Sequence, residues 1–336
     1  MANTPADKKA SGKETVFSGI KPTARPHLGN YLGMIKQAVA LQESYQCIYG
    51  VVDLHAITKP QKPEELTQNT RDIVLDLLAL GIDPERSILF VQSHVPAHSE
   101  LAWIFNSITP ISWLDRLGPY KEETAVNSQL NQVGILDYPV LMTADILLYK
   151  ATCVPVGEDQ LPHIDVANEI AKRFNHLFGK TFDPIKPLLT EAKRIMSLAE
   201  PKKKMSKSGD AGISLGDSAD EIRKKIKRAV TDSGSEIRYS PGAKPAVSNL
   251  LTIYGELSGK PVADIEKMYA GKGYADFKND LAQVVADYFA DFRARRAELQ
   301  NDRVYVSGVL ADGAARAAAI ADKTLKEVKA KMGFLM

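Results

Sequence analysis

Apolar positions along the first 180 residues repeat with two different spacings, and the spacings take turns. Short apolar runs at Val16–Ile20, Cys47–Val52 and Ile88–Gln92 have the length of strands. Between them lie stretches with helical spacing, predicted from about His27 to Ser44 and from Pro63 to Leu80. The second of these carries its own punctuation. Pro63 suits a first turn, Leu66, Ile73, Leu77 and Leu80 form one stripe, and Gly81 is the stop. A β-α-β-α-β order with short connections predicts a parallel sheet covered by helices and wound like a nucleotide-binding fold.

Further along, a helical stretch is predicted around Ala97–Ser107, a buried helix over Pro139–Tyr149, a strand at Thr152–Val156 and a helix over Gln160–Phe174. Between Pro184 and Gly216 the chain turns rich in Lys, Pro, Ser and Gly, as a linker or loop does. From Asp220 to about Arg296 the pattern is mostly helical, and an Ala-rich helix is predicted from Val309 to Lys331 with Gly333 at its end. The expected organisation is a disordered tail (1–14) and an α/β, doubly wound, Rossmann-like domain (15–215). A smaller helical domain (216–304) follows, and a last helix (about 305–335) packs back on the sheet.

Composition adds limits. A chain of 336 residues fits about two domains, and its 44% hydrophobic and 25% charged residues are ordinary for a globular protein. No run of apolar residues approaches the ~20 that a membrane helix needs, so no span is expected. Cys47 and Cys153 are the only cysteines, with no Cys-x-x-Cys pair, which argues against a disulfide scaffold or a structural zinc site and makes the cytoplasm the default location. The net charge of +2 means that any nucleic-acid contact must come from local patches.

Two short stretches carry candidate chemistry. His27-Leu28-Gly29-Asn30 follows the first strand at the start of a helix. There a helix N-terminus favours anions, Gly29 allows close approach, and His27 and Asn30 share a face. An ordinary capped turn would look the same. About 175 residues later, Lys204 and Lys207 stand three apart in Lys-Met-Ser-Lys-Ser-Gly, where two ammonium groups can reach phosphate oxygens, or can simply be solvated. Taken together and in this order, they suggest a nucleotide held by its phosphates from two sides. His94 and His98 have metal-ligand spacing, but Pro96 between them spoils a helical presentation, and no metal is assigned.

The pair resembles the two signature motifs of class I aminoacyl-tRNA synthetases. The surrounding stretches Phe17–Thr23, Val52–Thr58, Met142–Tyr149, Val154–Gln160, Ala229–Ser233 and Gly271–Tyr274 narrow the resemblance to the bacterial tryptophanyl family. It implies activation of L-tryptophan by ATP carried with Mg²⁺, transfer to tRNA(Trp), and a homodimer. His27, Asn30, Lys204 and Lys207 would be catalytic, acting on the triphosphate. Lys21, Pro22, Thr23, Gly29, Gly157, Glu158, Asp159, Ile195, Met205, Ser206 and Ser208 would complete the ATP site. Asp145 would accept the indole N–H, with Met142, Phe17, Tyr138, Val154, Val156 and His55 around the ring and Gln160, with Tyr138, at the α-amino group. An indole nitrogen only donates, so an acceptor is what such a pocket requires. The basic helix Arg223–Arg228 would face tRNA.

The chain departs from that family at Lys21, at Ala24 and at Glu122 and Glu123, so no phosphate-binding role is carried over to Lys121. A tyrosyl enzyme and a silent RNA-binding paralogue remain as alternatives on these residues.

Overall fold

The computed structural model describes residues 13–118, 131–189, 194–206 and 212–336. Five parallel strands form one sheet in the order β3-β2-β1-β4-β5, from β1 (Thr15–Ile20), β2 (Gln46–Val51), β3 (Ile88–Val91), β4 (Cys153–Val156) and β5 (Lys186–Leu189). Strand β1 pairs with β2 from Thr15↔Gln46 to Ile20↔Val51, and with β4 at Val16↔Cys153. The order reverses direction between β1 and β4. Ligands of open parallel sheets sit at such a switch point, outside the carboxyl ends of the strands.

The expected linker hides a strand. β5 is four residues long, carries Pro187 and lies at an edge, where a proline costs no ladder bond. Its apolar signal is too short to stand out from the Lys/Pro-rich context, so the last core strand is β5 and not the one ending at Val156.

Helix α1 begins at Leu28–Asn30, passes through a π-helical turn at Tyr31–Ile35 and resumes at Lys36–Leu41. It is followed by α2 (Asp53–Ala56), α3 (Pro63–Ala79), α4 (Ala97–Asn106), α5 (Ile111–Asp115), α6 (Val133–Leu147) and α7 (Leu161–Phe178). Helix α6 starts six residues earlier than the pattern suggested, with Pro139 inside it. The helical portion is α8 (Ala219–Arg228), α9 (Pro245–Ser258), α10 (Val262–Met268), α11 (Tyr274–Tyr288) and α12 (Ala290–Asn301).

Helix α13 (Arg303–Met332) returns to the sheet and packs on β3 and α4. By length and composition alone this helix could cross a membrane, which the apolar-run reading overlooked because its apolar content is spread through alanines. In the fold its stripe Val309, Gly313, Ala317, Ala321, Leu325 and Val328 is buried.

Each face of the sheet has its own core. One gathers Phe17, Ile48, Phe90, Val154 and Val156 under α4, α6 and α7. The other gathers Val16, Ile20, Val51 and Leu28 with α3 and runs on, without a break, into Ile222, Leu250 and Phe277 of the helical portion.

Candidate active site

Main chain joins the first motif to residues 213–215, a few positions beyond the second. Leu28 N–H donates to Ile213 O at 2.8 Å, Leu215 N–H donates to Pro26 O at 3.0 Å, and His27 bridges Ser214. Side chains complete the junction. A Cβ built on Gly29 would stand in ordinary contact with Met205 Cβ, at 3.5 Å, but only 3.0 Å from the His27 ring, so glycine leaves room for that ring. Met205 N–H in turn donates to Ile195 O at 3.0 Å, and both side chains are buried. These two residues expected in the ATP site are thus adjacent.

His27 and Asn30 cap α1 reciprocally. His27 Nδ1 accepts from Asn30 N–H and Asn30 Oδ1 accepts from His27 N–H, each at 3.2 Å. The capped turn and the phosphate site are therefore not exclusive readings, since a well-held N-terminus is also the better anion site. Lys21 Nζ donates to Thr58 Oγ1 at 3.2 Å, Pro22 is buried beside it and Thr23 is exposed. Lys204 and Ser206 are exposed, while Lys207, Ser208 and Lys121 lie outside the described residues.

At the end of β4, Gly157 O accepts from Gln160 N–H at 3.0 Å, and a Cβ on Gly157 would come within 2.7 Å of Asp159 Oδ1. Gln160 Nε2 donates to Asp159 Oδ2 at 2.9 Å, and this bond is the main reason the Asp159 carboxyl titrates below the usual range. With its amide nitrogen so engaged, Gln160 keeps Oε1 as the end suited to an ammonium group. Glu158 is exposed.

Asp145 lies on α6 and is buried, with 1% exposure. Its Oδ1 accepts from Gln92 Nε2 and from His98 Nδ1, both at 2.6 Å, and its Oδ2 accepts from His55 Nε2 at 2.8 Å. Burial pushes the carboxyl up, but His55 and then His98 outweigh it and hold the group down at about 2. It is ionised at neutral pH. Around it, Phe17, Val154 and Val156 are buried in one core with Met142 packed against it, and Tyr138 meets His55 edge to face at 6.3 Å. Tyr138 also shares a 2.7 Å hydrogen bond with His163 Nε2.

Gln92 and His163 escaped the sequence reading, and His98 and Tyr149 were named there without these contacts. The metal-ligand spacing of His94 and His98 drew attention to the right residue for the wrong chemistry: His94 is exposed, and His98 is sealed between Asp145 and Tyr149. Nothing local to Gln92 or His163 marks them, because their partners are 53 and 25 residues away. Among the described residues, no three His, Cys, Asp or Glu side chains group as metal ligands do.

The family model for class I tRNA synthetases (W and Y) matches residues 8–290. Tryptophan--tRNA ligase 2 of Streptomyces avermitilis is 48% identical over 332 residues, covering 97% of this chain and 98% of that one. The tryptophan--tRNA ligase of Caldanaerobacter subterraneus is 47% identical, covering 96% and 98%. Among solved structures, the Campylobacter jejuni tryptophanyl-tRNA synthetase complexed with ADP and tryptophan superposes with a TM-score of 0.84 at 33% identity, over 95% of this chain and 100% of that one. A tyrosyl-tRNA synthetase of Archaeoglobus fulgidus, at a TM-score of 0.67 and 20% identity, shares the fold. With the family model spanning most of its length and relatives this similar end to end, the chain belongs to the class I tRNA synthetases of the W and Y group.

Proposed function

We propose that this chain activates L-tryptophan with ATP and transfers it to the 3'-terminal adenosine of tRNA(Trp). The observation that carries the reading is the Asp145 carboxylate: buried, ionised, and holding two donors on Oδ1 but one on Oδ2. A carboxylate has about four acceptor directions. The one left belongs to Oδ2, and a donor-only indole N–H suits it. A phenol oxygen brings lone pairs that need donors as well as one O–H, and the free edge of Oδ2 offers it only an acceptor.

In the first step the tryptophan carboxylate oxygen attacks the α-phosphorus of ATP. That P–O bond forms as the bond to the β-phosphate oxygen breaks, giving tryptophanyl-adenylate and pyrophosphate. In the second step a ribose hydroxyl of tRNA takes the acyl group, and AMP leaves. Neither step needs a covalent bond to the enzyme, so catalysis is positioning and charge stabilisation. ATP enters as its Mg²⁺ complex. His27, Asn30 and Gly29 receive the triphosphate from the sheet side, with Lys21, Pro22 and Thr23 along the preceding loop. Lys204 with Ser206, and Lys207 with Ser208, draw the charge of pyrophosphate from the other side. Gly157, Glu158 and Asp159 face ribose, and Ile195 and Met205 face adenine. Gln160 and Tyr138 hold the α-amino group.

The exposed basic residues of α8, Arg223, Lys224 and Lys227 among them, support a tRNA-facing role for the helical portion, read as an anticodon-binding domain. Exposed Trp103, Ile111 and Val133 on the packed helices α4, α5 and α6 support a homodimer. The reaction belongs in the cytoplasm.

Amino-acid-dependent ATP–pyrophosphate exchange with tryptophan, tyrosine and phenylalanine tests the reading. Exchange with tryptophan alone is expected. Exchange with tyrosine alone would overturn the specificity, and none at all from folded protein would leave a binding role without catalysis. Asp145→Ala is expected to lose tryptophan discrimination far more than ATP affinity.

A further inference from the structure

Behind Asp145, away from its His55 side, a second chain of hydrogen bonds continues into the core. His98 Nδ1 is 2.6 Å from Asp145 Oδ1, and His98 Nε2 is 2.8 Å from the Tyr149 hydroxyl. His98 is 0% exposed and Tyr149 3%. A carboxylate only accepts, so His98 donates to Asp145 through Nδ1, and its Nε2 pairs with the Tyr149 hydroxyl. Burial, and next the nearby Asp145 charge, push the Tyr149 phenol well above its usual range, so that it keeps its proton.

The Tyr149 ring does a second thing. It stacks flat on Phe17, with centroids 5.6 Å apart and planes 7° off parallel, and meets Phe90 edge to face at 5.8 Å. Phe17 is one of the apolar residues that wall the proposed ring pocket. Tyr149 therefore touches the wall directly and reaches the acceptor through His98. On one side it supports the wall, and on the other it ends the bond chain that fixes the acceptor. His98 is held in the same stack, 5.6 Å from Phe90.

We infer that His98 and Tyr149 are positioning residues for amino-acid selectivity: they hold Asp145 by Oδ1 so that Oδ2 is the edge offered to a ring N–H. This rests on the tryptophan-activating reading above. The alternative, that the pair only stabilises the fold, predicts something different. A structural role would be felt equally by every amino acid that enters, whereas a role through Asp145 is felt only by a substrate that donates to it.

The experiment is ATP–pyrophosphate exchange with two substrates, L-tryptophan and its isostere 3-(benzothiophen-3-yl)-L-alanine, in which sulfur replaces the N–H. His98→Phe keeps a ring but removes both nitrogens. It is expected to lower kcat/KM for tryptophan about tenfold or more while changing that for the isostere and the KM for ATP by no more than about twofold, as loss of a bond to a charged group implies. His98→Asn, whose amide nitrogen can replace Nδ1, is expected to restore most of the preference. Tyr149→Phe keeps the stack and loses only the hydroxyl, and an intermediate, tryptophan-only loss is expected. It also carries the test should His98→Phe not fold. Equal losses for both substrates, or unchanged preference in His98→Phe and Tyr149→Phe, would overturn the inference while leaving the activity standing. Absence of tryptophan-dependent exchange in the unaltered chain would overturn the activity itself, and the inference with it.

Discussion

Arg296 Nε on α12 donates to Asp76 Oδ1 on α3 across 2.6 Å, and the same fully buried carboxylate takes Arg25 from the loop ahead of His27. Arg25 Nη2 reaches Oδ1 at 2.8 Å and Nε reaches Oδ2 at 3.2 Å, while Arg296 Nη2 also bonds Asp72. Two cations from different parts of the fold thus share one acid. Buried pairs matter most when one partner is removed, because the other is left uncompensated.

Asp76→Ala is therefore expected to destabilise the fold by about 3–5 kcal/mol, since it leaves two guanidinium groups facing each other. Arg296→Ala leaves Arg25 in place and is expected to cost about 1–3 kcal/mol. Urea titration of both variants would check the order; a larger loss in Arg296→Ala would mean that Asp72 is its more important partner.

Gly216 lies against the same Arg25. A Cβ there would stand 1.7 Å from Arg25 Nη1, so Gly216→Ala must push the guanidinium off Asp76. The two changes should share one cost. The double variant Gly216→Ala/Arg25→Ala is expected to be no less stable than Arg25→Ala alone, and strict additivity of the single losses would show that the alanine is accommodated elsewhere.

The acid side of the stability curve should carry the mark of Asp145. Its folded value is lowered from the ordinary 3.8 to about 2, so its contribution is fully present above 3.8 and is lost as pH falls from 3.8 to about 2. Asp145→Asn is expected to flatten the dependence of the urea midpoint on pH across that window. An unchanged slope there would assign the acid sensitivity to other carboxylates.

Lys278 closes the end of the basic helix α8. Its Nζ donates to Ala229 O at 2.6 Å and to Lys227 O at 3.4 Å, satisfying carbonyls that the helix leaves open and placing a cation at the negative end of its dipole. Lys278→Met is expected to cost about 1 kcal/mol by urea titration, with most of the loss suppressed in high salt if charge dominates.

The alternation of spacings was enough to read the first four strands, the longer helices α1, α3 and α4 and the direction of the sheet, because each is written locally in apolar period and in residues such as Pro63 and Gly81. Strand β5 was not legible, being four residues with a proline in a basic stretch. The π turn at Tyr31–Ile35 leaves no mark in the apolar pattern, since a widened turn is decided by what the helix packs on. The site divides the same way. His27, Asn30 and Lys204 are visible as short motifs and Asp145 through the resemblance, whereas Gln92, His98 and His163 act through partners distant in the chain. Their roles follow only from the crossing of β3, α4, α6 and α7 at one end of the sheet.

Helix α13 crosses β3 at a point where Gly313 is nearly in touch with the strand: a Cβ there would lie 1.9 Å from Leu89 O. Hydrogen alone fits in that notch. A shift of the helix by one residue either way would bring Asp312 or Ala314 to the carbonyl, so the helix is indexed against the strand like a key in a slot and has no soft sliding mode. The helical portion leads directly into α13 through Asp302, so the register of the helix on the strand also sets where that portion joins the sheet.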